Sequence, residues 1–197
     1  MNILGLLRHG PTSWNRKKQI QGITDIPLDT AAFKAEPWQR LLSQYGPWDH
    51  VVTSSLSRCQ ETCHLLFPDE PHAVDADLRE QDWGNWTGQT LQQIYAESPG
   101  SIEAQERLGW DFTPPGGESR RLVLARAFRA IDHATDNRDG QRILFITHLG
   151  VIQILLNHLE GTPFLPGHST PMTKRALHLL RQDGAKLSIL QTNIEPS

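Results

Sequence analysis

Ile3-Leu4-Gly5-Leu6-Leu7-Arg8-His9-Gly10-Pro11 opens the chain with an apolar run that stops at an arginine and a histidine, followed by a Gly-Pro pair. The run reads as a buried strand, and Gly10-Pro11 reads as the loop that turns the chain at its end. A second run, around Val51-Val52, follows the turn Gly46-Pro47-Trp48-Asp49. A third, Ile143 to Ile146, is apolar at successive positions. A strand apolar on both faces suits a parallel sheet covered by helices.

Helical patterns fall between these runs. Leu56 to Phe67 is spaced as a helix and stops before Pro68. Ser119 to Ala134 places Leu122, Ala125, Phe128 and Ile131 at near-helical intervals, and Leu149 to Leu159 is strongly apolar and ends before Gly161. Lys186 to Leu190 reads as a late strand. The alternation predicts an α/β fold, a three-layer α/β/α sandwich around a mostly parallel sheet. In such sheets, sites form beyond the carboxyl ends of strands. Those ends carry Arg8-His9, Thr147-His148, and Thr53-Ser54-Ser55 with Arg58 just beyond.

Composition narrows the function. The chain has 197 residues, which predicts one domain over 1–197. Its 19 Lys and Arg against 22 Asp and Glu give a formal charge of −3, without the basic excess of a nucleic-acid binder. No apolar run approaches a membrane span, and the first strand lacks the flanks of a secretory signal. Cys59 and Cys63 are too few for a disulfide framework and wrongly spaced for a CxxC redox pair, so they read as reduced, partly buried thiols of a cytoplasmic protein. Asn85-Trp86-Thr87 is a glycosylation acceptor that only a secreted protein would use.

A lone histidine in a turn is ordinarily a surface residue. Here two histidines and two arginines stand at strand ends, and the chemistry they suit is phosphoryl transfer. A neutral imidazole is a competent nucleophile toward phosphorus. Guanidinium groups hold phosphate oxygens through paired, charge-assisted hydrogen bonds. The leaving oxygen needs a proton, and Glu80 is the best candidate donor, because the nearby Trp83 and Trp86 would supply the apolar surroundings a general acid requires. On spacing alone, Glu80 reads equally well as a solvated loop charge beside Arg79.

Leu7-Arg8-His9-Gly10-Pro11-Thr12-Ser13-Trp14-Asn15, then Gln21-Gly22 with Asp25, Pro27 and Leu28, form a first block. Ser54-Ser55-Leu56-Ser57-Arg58-Cys59-Gln60-Glu61-Thr62 form a second. Leu78-Arg79-Glu80 with Gly84 and Gly88, Pro115-Gly116-Gly117-Glu118-Ser119, and Thr147-His148 complete the set. In this content and order the chain resembles the histidine phosphatase superfamily, also called the phosphoglycerate mutase-like family. The resemblance implies that His9 is phosphorylated in a covalent intermediate. Arg8, Arg58 and His148 would surround the phosphoryl group, and Asn15 would add a hydrogen bond to it. Glu80 would protonate the leaving alkoxide and then take a proton from the attacking water. Gln21 and Gly22 would lie at the pocket edge.

The resemblance also implies no metal and no cofactor, a phosphorylated small-molecule substrate, no nucleic-acid or membrane partner, and a monomer or homodimer. The chain departs from the family in three places. Leu149 follows His148 where glycine is usual, which puts a bulky side chain near the pocket mouth. Asp29-Thr30-Ala31-Ala32-Phe33 replaces a Thr-Xaa-Xaa-Gly turn, so the next helix would start differently. Pro11 stands where an acidic residue is common.

Specificity is expected from a small helical cap over about 83–115, where Trp83, Trp86, Tyr95, Trp110 and Phe112 either pack the cap or wall the leaving group. Arg16-Lys17-Lys18 is a solvated basic face or an attractor for anions. Net hydrolysis is the first expectation. A small mutase-type phosphotransferase and a low-turnover phosphate-binding regulatory relative are the alternatives.

Overall fold

A computed structural model describes residues 1–196. Strand β1 (Asn2–Arg8) leads through the short helix α1 (Ser13–Arg16) to α2 (Ala35–Tyr45). Then come β2 (His50–Ser54), α3 (Ser57–Leu66) and the short β3 (Ala73–Asp75). Helices α4 (Leu91–Glu97) and α5 (Ser101–Glu106) precede the long α6 (Arg120–Thr135). The chain ends with β4 (Arg142–Thr147), α7 (Leu149–Leu159), β5 (Leu177–Asp183) and β6 (Lys186–Ile194).

One six-stranded sheet has the order β3-β2-β4-β1-β5-β6. The first four strands are parallel, and β5 and β6 join antiparallel. The mostly parallel sheet expected from the sequence is present. The sequence reading places no α1, β3 or β5, expects a helix after the Asp29–Phe33 turn without giving its bounds, and ends the late strand at Leu190 rather than Ile194. The helix expected over Leu56–Phe67 is one residue shorter at each end.

Strand alternation divides the core. Leu4, Leu6, Val52, Ile143, Phe145 and Leu180 face α6 and α7, meeting Val123, Ala127, Val151 and Leu155. Leu7, Val51, Leu144, Ile146 and Leu179 face α2 and α3, meeting Trp38, Leu42, Cys59 and Cys63. The sheet is therefore covered on both faces, which is the three-layer arrangement. The four apolar residues of β4 are fully buried, as expected of the central strand. Gly5 sits where a side chain would run into Trp48: a Cβ there would lie 2.6 Å from its ring.

Register aligns the chemistry. Arg8 pairs with Thr147 across β1 and β4, and Thr53 with Ile146 across β2 and β4. Arg8, Ser54 and Thr147 thus end their strands at one level, with His9 and His148 just beyond.

The segment between β3 and α6 builds its own small core from Trp86, Ile94, Ile102 and Phe112, with Ile20 and Trp83 against it. Trp83 and Phe112 meet edge to face at 5.6 Å, a geometry that adds about 0.5–1.5 kcal/mol beyond area burial. Backbone hydrogen bonds tie the segment to the loop after α1: Ile20 N–H donates to Gln89 O and Gly88 N–H to Ile20 O.

Candidate active site

His9 and His148 leave their strands side by side, with ring centroids 5.2 Å apart. Both are buried. The Nδ1 of His9 lies 2.6 Å from the carbonyl oxygen of Gly10. A carbonyl only accepts, so Nδ1 carries the proton and Nε2 keeps the free lone pair. Burial, then the charges of Arg8 and Arg58, hold the His9 imidazole well below its ordinary pKa. It is a neutral imidazole with one defined free nitrogen.

His148 caps the start of α7, and its Nε2 sits 2.8 Å from Ser54 Oγ. Its Nδ1 is buried without a partner. Burial lowers its pKa as well, with His9 and the guanidinium groups of Arg58, Arg126 and Arg8 adding.

Arg58, fully buried on the first turn of α3, donates from Nη1 to Thr24 O and from Nη2 to Gly22 O. The nitrogens Nε of Arg58 and Nε of Arg8 are buried without partners. Burial lowers the pKa of both guanidinium groups. In proteins they stay protonated, so the cluster carries two fixed positive charges.

Asn15 is the third residue of a capping box with Thr12. Its Oδ1 accepts from Thr12 N–H at 2.9 Å and from Thr12 Oγ. The amide N–H pair is then the end of Asn15 left for a ligand, as the expected contact to a phosphoryl oxygen requires.

Glu80 is half-buried. Its Oε1 accepts from Gln81 N–H at 2.9 Å and its Oε2 from Gly150 N–H at 3.3 Å. Gly150 is needed here, since a Cβ at that position would lie 2.4 Å from Glu80 Oε1.

A cavity of about 220 Å³ joins Arg8, His9, Asn15, Gln21, Gly22, Arg58, Glu80 and Leu149 of the expected set. Leu149 does line it, as its place after His148 predicts. Its wall also includes Gln19, Ile20, Trp83, Gly150 and Gln153, which sequence reading had not assigned to the pocket except for Trp83. His148, expected among the binding residues, does not line this cavity: it is fully buried, with its ring beside that of His9.

Of the five aromatic residues expected to choose between cap core and pocket wall, Trp83 alone among the described residues lines this cavity. Trp86 and Phe112 are buried in the cap core, so Trp86 does not supply surroundings for Glu80. Trp110 packs on the α6–α7 side and donates to Thr162 O, and Tyr95 is exposed. Both cysteines are fully buried, not partly so. Arg16 of the basic run pairs with Asp29, itself part of the turn that replaces the usual one before α2.

Other residues of the matching blocks hold the frame. Thr62 Oγ1 accepts from Gly10 N–H and donates to Arg58 O, linking the nucleophile loop to α3. Asp25 accepts from the backbone and hydroxyl of Ser57 and so caps α3, whose N-cap Leu56 offers no side-chain acceptor.

Arg126 was not anticipated. It is buried on α6, and its five donors are all taken. Nε and Nη2 form a fork on the Glu118 carboxylate, both at 2.9 Å. The remaining donors reach the carbonyls of Asp77, Arg79 and Glu80. Glu118 also accepts Gln81 Nε2 on its carbonyl, so this pair fixes the loop that presents Glu80. In the sequence, Arg126 looks like any other arginine on a helix.

Paired histidines and two guanidinium groups, Arg58 buried and Arg8 partly so, stand at the strand ends of a mostly parallel sheet, an arrangement suited to phosphoryl groups in an α/β protein. The family model for the histidine phosphatase superfamily (branch 1) matches residues 4–195, and the chain belongs to that superfamily. It is 31% identical over 172 residues to a 2,3-bisphosphoglycerate-dependent phosphoglycerate mutase of Methylorubrum populi, covering 81% of this chain and 79% of that protein. The structure of Bacillus stearothermophilus YhfR superposes with a TM-score of 0.85 at 26% identity, covering 100% of this chain and 98% of the other. A mycobacterial glucosyl-3-phosphoglycerate phosphatase superposes with a TM-score of 0.81 at 26% identity over the whole of both chains.

Proposed function

We propose that the protein is a phosphatase that hydrolyses a small-molecule phosphomonoester through a phosphohistidine on His9. The observation that carries this reading is the pairing of a neutral imidazole, its Nε2 free, with two guanidinium groups whose buried Nε atoms lack protein partners. Buried donors without partners ask for an acceptor, and a phosphoryl group brings oxygens and negative charge together.

In the first step the lone pair of His9 Nε2 forms the N–P bond as the ester P–O bond breaks. Arg8, Arg58 and the Asn15 amide hold the phosphoryl oxygens, and the leaving oxygen takes a proton from Glu80. In the second step Glu80, now a carboxylate, removes a proton from water. The water oxygen forms the new bond to phosphorus, and the N–P bond returns its electrons to His9. Positioning and charge stabilisation carry most of such a reaction. The residues supply both, so the expectation is full activity in chelator.

Transfer back to a substrate, as in the mutase relative, is a second reading that the likeness to that protein favours. Against it, the cavity's lining holds only two basic side chains, both beside His9. A second phosphate seated in this cavity would meet no further cation on its lining; Lys34, Lys174 and Arg175 line a separate cavity beside His9.

Rapid quench with a radiolabelled phosphomonoester tests the proposal. An acid-labile, base-stable adduct is expected on the wild type and not on His9→Ala, with inorganic phosphate as the product in water. A labelled His9→Ala protein, or label moved between positions of the substrate without phosphate release, overturns it.

A further inference from the structure

The cavity wall away from His9 carries no charge of its own. Beyond Arg8, His9, Arg58 and Glu80, the lining is Asn15, Gln19, Ile20, Gln21, Gly22, Trp83, Leu149, Gly150 and Gln153. The amide of Gln19 has a fixed sense, because its Nε2 donates to Gly88 O at 2.8 Å, and its Oε1 is buried without a partner. Gln21 is buried as well, with only 9% of its surface exposed, and its Oε1 likewise lacks a partner. Leu149 and Gln153 stand one helical turn apart on α7 and so share a face. Trp83 presents an indole beside them.

We propose that the leaving group is a neutral, hydroxyl-bearing one of sugar or ribosyl type, and that Gln19, Gln21 and Gln153 with Trp83 select it. This deepens the phosphatase reading and rests on it. Two buried carbonyl oxygens without donors call for O–H or N–H groups on the ligand. An aromatic face beside amides suits a ring with one apolar side and hydroxyls at its edge.

A carboxylate or second phosphate on the leaving group would be placed badly. It would meet no cation on this wall and would stand near Glu80, whose carboxylate is regenerated in every turnover. The volume of about 220 Å³ fits a phosphoryl group with a small leaving group; ligand pockets commonly run to about 300–1,000 Å³.

Cations do lie nearby, on the other flank of the nucleophile loop. Lys34, Lys174 and Arg175 line a second cavity that shares Arg8, His9 and Asn15 with the first but does not include Glu80. A leaving oxygen that takes its proton from Glu80 points into the first cavity, so these three do not read the leaving group.

The experiment compares kcat/KM for ribose 5-phosphate and glycerol phosphate with that for 3-phosphoglycerate and O-phosphoserine. p-Nitrophenyl phosphate is the common reference. The neutral leaving groups are expected to exceed the carboxylate-bearing ones by tenfold or more, and Gln153→Arg is expected to shift the ratio at least tenfold toward 3-phosphoglycerate. Equal or reversed preference in the wild type overturns the inference while leaving the phosphatase reading intact. So does a tenfold rise in KM for ribose 5-phosphate in the Lys174→Ala/Arg175→Ala double variant, because it puts the leaving group on the other flank. Failure to hydrolyse even the aryl ester removes the phosphatase reading instead. Should Gln153→Arg not fold, Gln153→Lys and the wild-type ratio decide.

Discussion

Lowering the pH should unfold this protein before it silences the nucleophile. His9, His148 and His178 are all buried, and burial is the first cause of a lowered pKa in each. His178 on β5 is pushed down to about 4, and its Nδ1 accepts from Asn193 N–H. A histidine whose folded pKa lies below its unfolded value of about 6.5 binds a proton more tightly in the unfolded chain. The stability is therefore intact above pH 6.5 and is lost as pH falls from there toward the folded pKa. At pH 5 the unfolded His178 has gained about 2 kcal/mol from a proton that the folded site refuses, and His9 and His148 add to the loss in the same direction. A typical domain has only about 5–15 kcal/mol in total. Urea unfolding at pH 7.5, 6.5, 5.5 and 5.0, in phosphate-free buffer, measures the loss. The expected loss exceeds the share of about 2 kcal/mol from His178 alone, and His178→Leu should remove that share. A total change of less than about 2 kcal/mol between pH 7.5 and 5.0, one proton's worth, would refute the reasoning. It would mean that the two site histidines accept protons in the folded state and that the imidazole at position 9 is not held neutral.

Two other outcomes follow from the same packing. Arg126→Lys keeps the charge but cannot supply five donors. It should lower stability by roughly 2–6 kcal/mol, about 1–3 kcal/mol for each of the two buried acceptors left without a donor, and reduce kcat on alkyl phosphates more than on p-nitrophenyl phosphate, whose leaving group needs less protonation from Glu80; equal losses on both substrates would make Arg126 purely structural. The two thiols should resist a disulfide-exchange reagent at pH 8 until the chain unfolds, because burial raises Cys59 and pushes Cys63 up to about 12; labelling at the rate of a free thiol in the native protein would contradict their burial.

The elements legible in the sequence were those with unbroken apolar signals. β4 reads plainly because four consecutive side chains are buried on two faces, and α7 because its apolar stripe runs to Gly161. β5 was missed because His178, a buried polar residue, interrupts its run. β3 was missed because it is three residues long and mostly exposed. α2 has no side-chain cap at Lys34, so its start carries no signal. In the site, the strand-end residues were legible because register alone brings them together. The surroundings of Glu80 were not. Trp86 is close in sequence but turns into the cap core, while the carboxylate meets the neighbouring N–H of Gln81 and the N–H of distant Gly150, the second a contact no spacing announces.

That division has a physical origin. Arg8, His9, Arg58 and His148 hang from the ends of three parallel strands and the first turns of α3 and α7, so the sheet's hydrogen-bond ladder sets their separation. Changing it would mean shifting a strand by a residue and turning every core side chain to the wrong face. The leaving-group wall has no such anchor. It is made from one turn of α7, the loop after α1 and the edge of the cap, joined by main-chain bonds at Ile20 and Gly88 and by side chains that do not enter the sheet core. Leu149 and Gln153, partly exposed on α7, can be exchanged there without touching the sheet core. A phosphoryl site fixed by register and a leaving-group wall free to vary together let one scaffold serve a mutase of Methylorubrum and a phosphatase of mycobacteria. The proposed selection of the leaving group rests on the charge of those few wall residues, and a single cation placed at Gln153 probes it directly.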